Sequence, residues 1–350
     1  MPRLIGKTPA PVRLGSPGVW TLQQAADAER DVRWPGVWRN NLLAVVSGSA
    51  PYLQIYGKNT VYGDNNPAAQ PAALSFVPTD VAWSTSGGYL AVVGGSSMAW
   101  YSHNAGVLTL LTNPATMPVG AVVSCAWSPD DKFLAVGHGT TPFVTIYERS
   151  GDTLTKLSNP STLPTGAARQ VAWSPSGEFL AVAHNTTPYL TVYQRSDTTF
   201  TKLTSTAASG GSAGGDGCAW SPDGATLVQI QRGGTSGWLN IYTLAGATLT
   251  KLTGFTLPAV ANGRAAFSPT GAYLCVDLGT GNFRVYSASG TTFTVLGSPT
   301  PSGGAGAAWG RDGNFLNAGS NLYSISGSTF TLQTALSPAP GGGVAACSFL

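Results

Sequence analysis

Asp80, Arg169, Gln170, Asp216 and Arg264 are the residues of this 350-residue chain whose types suit chemistry and whose placement recurs. Together with Ser124 they stand at the starts of the first strands of successive sequence repeats. One end of the fold should therefore collect them around its axis. Carboxylates among guanidiniums and an amide can bind a small polar molecule, and Asp80 and Asp216 can divide the roles of acid and base. Structural ion pairs gather in the same way. The expectation is that these charges compensate one another in a water-filled channel, with a small-molecule site as the alternative.

Other reactive signatures are missing. His138 and His184 close the second strands of adjacent repeats, but the equivalent Ser47, Gly94, Gln231, Leu278 and Ser320 bring no further ligand and no carboxylate. Zinc needs three or four ligands, so the histidines are expected to be satisfied strand-end residues rather than a metal pair. Cys125, Cys218, Cys275 and Cys347 have no metal spacing and sit among small apolar residues, as reduced core thiols do. No nucleophile–histidine pairing, calcium loop or phosphate-cradling glycine run is visible, and no metal or cofactor is expected. Charged residues make up 9% of the chain and the net charge is +3, which excludes an electrostatic nucleic-acid footprint. No apolar run reaches the length of a signal peptide or a membrane span, so membrane insertion is not expected.

The elements that must position these residues come from a repeat. "CAWSPDDKFLAVGHGTTPFVTIYERSGDTLTKL" from Cys125 matches "VAWSPSGEFLAVAHNTTPYLTVYQRSDTTFTKL" from Val171. The signature aromatic recurs at Trp83, Trp127, Trp173, Trp220, Phe267 and Trp309, with spacings of 44, 46, 47, 47 and 42 residues. That is the period of a four-stranded propeller blade. In one unit the strands are predicted at 122–127, 133–138, 142–148 and 153–157. A Ser-Pro-x-Gly/Asp turn joins the first two, with proline presetting φ at its second position. Lys156, Lys202 and Lys251 fall on outer strands, where lysine discourages edge-to-edge association. Residues 42–62 read "LLAVVSGSAPYLQIYGKNTVY" and lack a first strand, whereas the C-terminal "VAACSF" is a first strand with nothing after it. The two ends should build one composite blade from 344–349 and 42–62. The expected fold is all-β, a seven-bladed propeller over 42–350 with an arm over 1–41.

This pattern resembles the WD-repeat and related seven-bladed propellers over residues 42 to 350. It departs from them in having no Gly-His before the innermost strand and Ile-Tyr or Val-Tyr in place of Trp-Asp. The family's scaffold functions therefore do not transfer. Long polar loops share one face of the fold, the face expected to meet a partner. Tyr52, Phe143, Tyr189 and Trp238 start third strands beside it; packing between blades is the expected role, and stacking on sugars of a host surface polymer is the alternative.

The arm is predicted to hold a helix over 22–32, opened by Thr21 with Gln24 and stopped by Pro35. Trp20, Leu22, Arg30, Arg33, Trp34 and Trp38 are interface-type residues and form a candidate docking set, unless they pack on the propeller itself. "SPGVWTLQQAADAERDVRWPG" resembles a stretch met near the N-terminus of tailed-phage appendage and other virion proteins, and the repeats resemble those of phage structural proteins. The resemblance implies a non-enzymatic virion protein assembled in the host cytoplasm, a tail appendage or head decoration. Its arm would join other virion proteins and its loop face would meet a host polysaccharide or protein. A propeller enzyme of the lactonase, lyase or glycosidase kind, using the channel-mouth carboxylates, is the alternative; a cellular interaction scaffold is another.

Overall fold

The computed structural model describes residues 42–349, apart from segments 59–61, 65–70, 72, 105, 204–213, 233–236, 253, 258–262, 280–281, 298–305 and 336–343. The expected arm, its helix over 22–32 and the candidate docking residues lie outside the described residues.

Seven antiparallel sheets follow one another along the chain, and each is a blade. Blade one is the composite: Val344–Phe349 pairs with Leu42–Ser47, which pairs with Leu53–Lys58 and then Tyr62–Asp64. The closing register sets Ala44 opposite Ser348, Val45 opposite Cys347 and Val46 opposite Ala346. Every residue of Leu42–Ser47 is buried, so the C-terminal strand covers a surface that would otherwise face solvent. Blades two to seven begin at the innermost strands Asp80–Trp83, Val122–Trp127, Ala168–Trp173, Gly215–Trp220, Arg264–Phe267 and Ala307–Trp309.

The Ser-Pro turns are held by the serine side chain. Ser128, Ser174 and Ser221 each accept the backbone N–H five residues on, at 2.9 Å in all three blades. Gly177, Gly224 and Gly271 then take left-handed φ values of 70°, 72° and 74°. Blade three has Asp131 there at φ 56°. Its carboxylate accepts the N–H groups of Thr85 and Ser86 from the neighbouring turn at 2.6 and 3.0 Å, which supports the strained backbone.

The core lies between blades rather than within one sheet. Val93 and Trp100 of blade two pack with Trp127, Leu134 and Val136 of blade three, and equivalent clusters fill the next gaps. The signature indoles add directional links: Trp173, Trp220 and Trp309 donate to the carbonyls of Ala126, Ala172 and Ala266 in the preceding blade, at 3.0–3.3 Å. On the outer strands Lys156, Lys202 and Lys251 pair in register with Tyr147, Tyr193 and Tyr242. The same register in blades two, six and seven holds the exposed Leu110, Val295 and Leu332. Among blades two to seven, lysine at this register therefore protects blades three to five.

Three limits in blade three differ from the sequence reading: its third strand is Val144–Ser150 rather than 142–148, and its fourth ends at Lys156 rather than 157. The third strands of blades three and four begin at Val144 and Leu190, not at residue 142 or its equivalent. Phe143 and Tyr189 close the preceding turns, their N–H groups donating to Thr140 and Thr186.

Candidate functional site

Around the axis, the first strands are stitched by side chains that reach the next blade. Asp80 Oδ2 accepts the Cys125 N–H at 3.0 Å, Ser124 Oγ the Val171 N–H at 3.3 Å, and Gln170 Oε1 the Cys218 N–H at 3.1 Å. The series stops at blade five, where Gly217 takes the equivalent position. A Cβ there would lie 2.7 Å from the Gly263 carbonyl oxygen, 2.9 Å from Gln170 Oε1 and 3.0 Å from Arg264 Cα, so any side chain would clash.

The close approach at Gly217 accompanies a strut across the channel. Arg264 of blade six donates to Asp80 Oδ1 of blade two at 2.6 Å, and to the carbonyls of Thr79 and Val123 at 3.2 and 3.3 Å. The Arg264 side chain is 21% exposed and that of Asp80 8%. Burial opposes the charge of Arg264, yet Asp80, with Asp277 nearby, outweighs it and raises the guanidinium pKa. Asp277, fully buried at the end of its strand, accepts the N–H groups of Gly279 and Gly306, both at 2.7 Å. Burial nonetheless pushes its pKa up, against these bonds and Arg264.

A second set of charges lies on bulges. In blades three, four and five the pairing register skips one residue near the start of the first strand, which singles out Val123, Arg169 and Asp216. Bulges re-aim the side chains they carry. Asp216 is gripped by Arg232 in a bidentate pair, Nε to Oδ2 at 3.1 Å and Nη2 to Oδ1 at 2.8 Å. The Arg232 side chain is 32% exposed, and its pKa is raised by the bond to Asp216 despite burial. Arg169 holds the equivalent bulge one blade earlier, and its buried Nε has no hydrogen-bond partner among the described residues.

The five channel residues are thus divided. Asp80 and Arg264 meet directly, Gln170 is an inter-blade link, and Asp216 pairs with Arg232 rather than with Arg264 or Asp80. Arg232 was missed by sequence reasoning because it lies just past a second strand, outside the row of first-strand starts. The signal for the links was present in Asp80, Ser124 and Gln170, which stand at one repeat position and all carry an acceptor.

His138 and His184 bind the threonines of their own third strands, Thr145 at 2.9 Å and Thr191 at 3.0 Å through Nε2. Among the described residues no group of three or more His, Cys, Asp or Glu is arranged to hold a metal. Burial lowers both imidazole pKa values, His184 to about 4, with Lys202 adding to it. A folded-state pKa below the unfolded one means that the unfolded chain takes the proton first as pH falls. Stability should therefore be full above about pH 6.5 and decline toward pH 4, by up to ~3 kcal/mol from His184. Urea titrations at pH 7 and pH 4.5 check this: His184→Gln is expected to flatten the difference. All four cysteines are free, and burial raises every thiol pKa, that of Cys218 to about 12, so none is a ready nucleophile.

With the geometry in view, comparisons with known proteins locate the fold. The family model "Eukaryotic translation initiation factor eIF2A" matches residues 112–260, under half of the chain. No curated protein matches the sequence. Among solved structures, the chain is similar to the periplasmic gluconolactonase PpgL of Pseudomonas aeruginosa, with 17% identity, a TM-score of 0.66, and coverage of 89% of this chain and 98% of that one. It is also similar to a 6-phosphogluconolactonase candidate of Bacteroides fragilis, at 13% identity, TM-score 0.68 and coverage of 89% and 98%. A counterpart from Bacteroides uniformis gives 14%, 0.68, and 89% and 100%.

These neighbours correct the expectation of a non-enzymatic phage virion protein: these three structures, matched over 98–100% of their own length, carry lactonase names, and none carries a virion name. Gly, Ser and Thr richness with low charge follows from turn-dense blades and is no mark of a virion. What the likeness shows of this chain is its architecture, a seven-bladed β-propeller.

Proposed function

We propose that the mouth between blades four and five hydrolyses a cyclic ester, with Asp216 as general base and Arg169 as the holder of the developing oxyanion. The observation that carries this reading is the buried, unpartnered Arg169 Nε at a bulge equivalent to that of Asp216 in the next blade. A buried donor without an acceptor is costly unless a ligand supplies one. The lactonase names of the fold neighbours lend support. Asp80 and Asp277 are less suited, because their oxygens accept backbone N–H groups that hold strands and turns together, whereas Asp216 is gripped by a side chain.

In the proposed reaction Asp216 takes a proton from water, and the water oxygen bonds to the carbonyl carbon. The bidentate bond to Arg232 fixes the base in orientation. The carbonyl oxygen becomes an anion facing the Arg169 guanidinium. Collapse breaks the ring carbon–oxygen bond, the proton passes from Asp216 to the leaving ring oxygen, and a hydroxy acid departs.

The test is a pH-stat assay with glucono-δ-lactone and its 6-phosphate. The protein should exceed the spontaneous rate with at least one of them. Asp216→Asn should lose about 10²–10⁴-fold and Arg169→Gln about 10²–10³-fold. No acceleration on either lactone overturns the reading.

A further inference from the structure

The hairpins joining second and third strands in blades three and four read Thr-Thr-Pro-Phe and Thr-Thr-Pro-Tyr. Their last residues, Phe143 and Tyr189, have φ values of 67° and 69°. Bulky side chains rarely occupy this left-handed region, which glycine enters freely. Strain of this kind persists where the surroundings impose it, and it gathers at functional sites.

Packing does not repay the strain. Both side chains are only half-buried, and neither belongs to the hydrophobic clusters that flank blades three and four, whereas the next residues, Val144 and Leu190, are fully buried in them. Trp238, at the corresponding point of blade five, is 37% exposed. Three adjacent blades thus present an aromatic residue at one position on one face.

Tyr189 also touches the strand of the proposed base. Its carbonyl accepts from Gln229 Nε2 at 3.3 Å, and a Cβ on Gly215 would lie 2.2 Å from that same oxygen. Gly215 directly precedes Asp216, so the backbone of Tyr189 is clamped beside the bulge.

We propose that Tyr189, with Phe143 beside it on blade three, is a stacking platform that orients the substrate ring over the Asp216 mouth. The ligand chemistry this fits is a saturated polyhydroxylated ring. Its C–H face lies on the aromatic surface while its hydroxyls meet Arg232, Asp216 and Arg169. The inference rests on the hydrolytic reading of the mouth and adds the residue that positions the ring.

The decisive variants are Tyr189→Gly and Tyr189→Phe, measured in the full-length protein. Tyr189→Gly should hold or raise Tm, because glycine relieves the left-handed strain, while KM for the hydrolysed lactone rises about three- to tenfold with kcat within about twofold. Tyr189→Phe should keep the wild-type KM. As a readout without turnover, D-glucose is the probe in saturation-transfer NMR. Transfer to its ring C–H protons should be seen with wild type and with Tyr189→Phe, and lost with Tyr189→Gly. A fall in Tm of several degrees for Tyr189→Gly would make the side chain a packing element and overturn the platform; so would an unchanged KM. Lactone hydrolysis with no effect at residue 189 leaves the mouth standing and removes the platform. Glucose transfer that depends on Tyr189, with no lactone hydrolysed, keeps the platform and removes the hydrolytic reading.

Discussion

A chain cut after residue 343 is expected to lose the fold altogether. The cut removes Val344–Phe349 and with it the innermost strand of blade one. Leu42–Ser47, buried along its whole length, becomes a sheet edge with unpaired backbone groups. The ring opens where Ser348 Oγ accepts the Trp83 N–H at 3.2 Å, the link from blade one to blade two. Val344 and Ala346 leave the core, and Ala44, Val46 and Val81 lose cover. Burial of one Val- or Leu-sized side chain is worth ~1.5–3 kcal/mol, and several are exposed together. The sum is comparable with the whole stability of ~5–15 kcal/mol usual for a domain. The truncated protein should collect in the insoluble fraction or show no cooperative thermal transition. A control separates loss of the strand from loss of chain length. A circular permutant that joins Phe349 to Leu42 through Ser-Pro-Asp-Gly-Ala, the linker of blade five, makes blade one continuous like its siblings, since Phe349 pairs opposite Leu43 as Trp220 does opposite Leu227. That permutant should fold, and a soluble, cooperatively melting truncation would show that the composite blade does not hold the ring.

This closure was legible in the sequence, and the reason is physical. Blade periodicity is local: each unit repeats a small-residue strand, a Ser-Pro turn and an alternating second strand, so "VAACSF" could be recognised as a first strand awaiting a second. The limits 122–127 and 133–138 were also legible, because a serine-capped turn separates them. What the repeat could not show is pairing across the axis. Asp80 and Arg264 are 184 residues apart, and their contact exists only once the ring has closed. Arg232 lies just past a second strand, so no repeat position marks it as the partner of Asp216. Phe143 and Tyr189 were assigned to strands since their type favours strands; the turn that holds them overrides that preference. The virion reading failed for a different reason: it rested on short stretches and composition, which speak to turns and solubility rather than to a site.

Breaking the strut is the other large effect expected. Asp80→Ala removes the partner of a guanidinium whose side chain is only 21% exposed, and it also orphans the Cys125 N–H. Removing one member of a buried pair costs ~3–5 kcal/mol, and the partial exposure of Arg264 places this case near the lower end, about 3 kcal/mol. Arg264→Met should cost a similar amount by leaving the Asp80 carboxylate buried without its cation. Combining Asp80→Asn with Arg264→Met removes both charges, so the double variant should be more stable than the sum of the single ones. Urea midpoints for Asp80→Asn, Arg264→Met and the double variant measure this coupling directly. Single variants that each cost less than ~1 kcal/mol, with no coupling, would mean that the strut does not hold the channel. The functional consequence follows from Gly217, which packs against Arg264 and directly follows Asp216. Loosening the strut frees the strand on which the proposed base sits. Turnover should therefore fall in Asp80→Asn although every group of the mouth is still present, and it should recover with stability in the double variant.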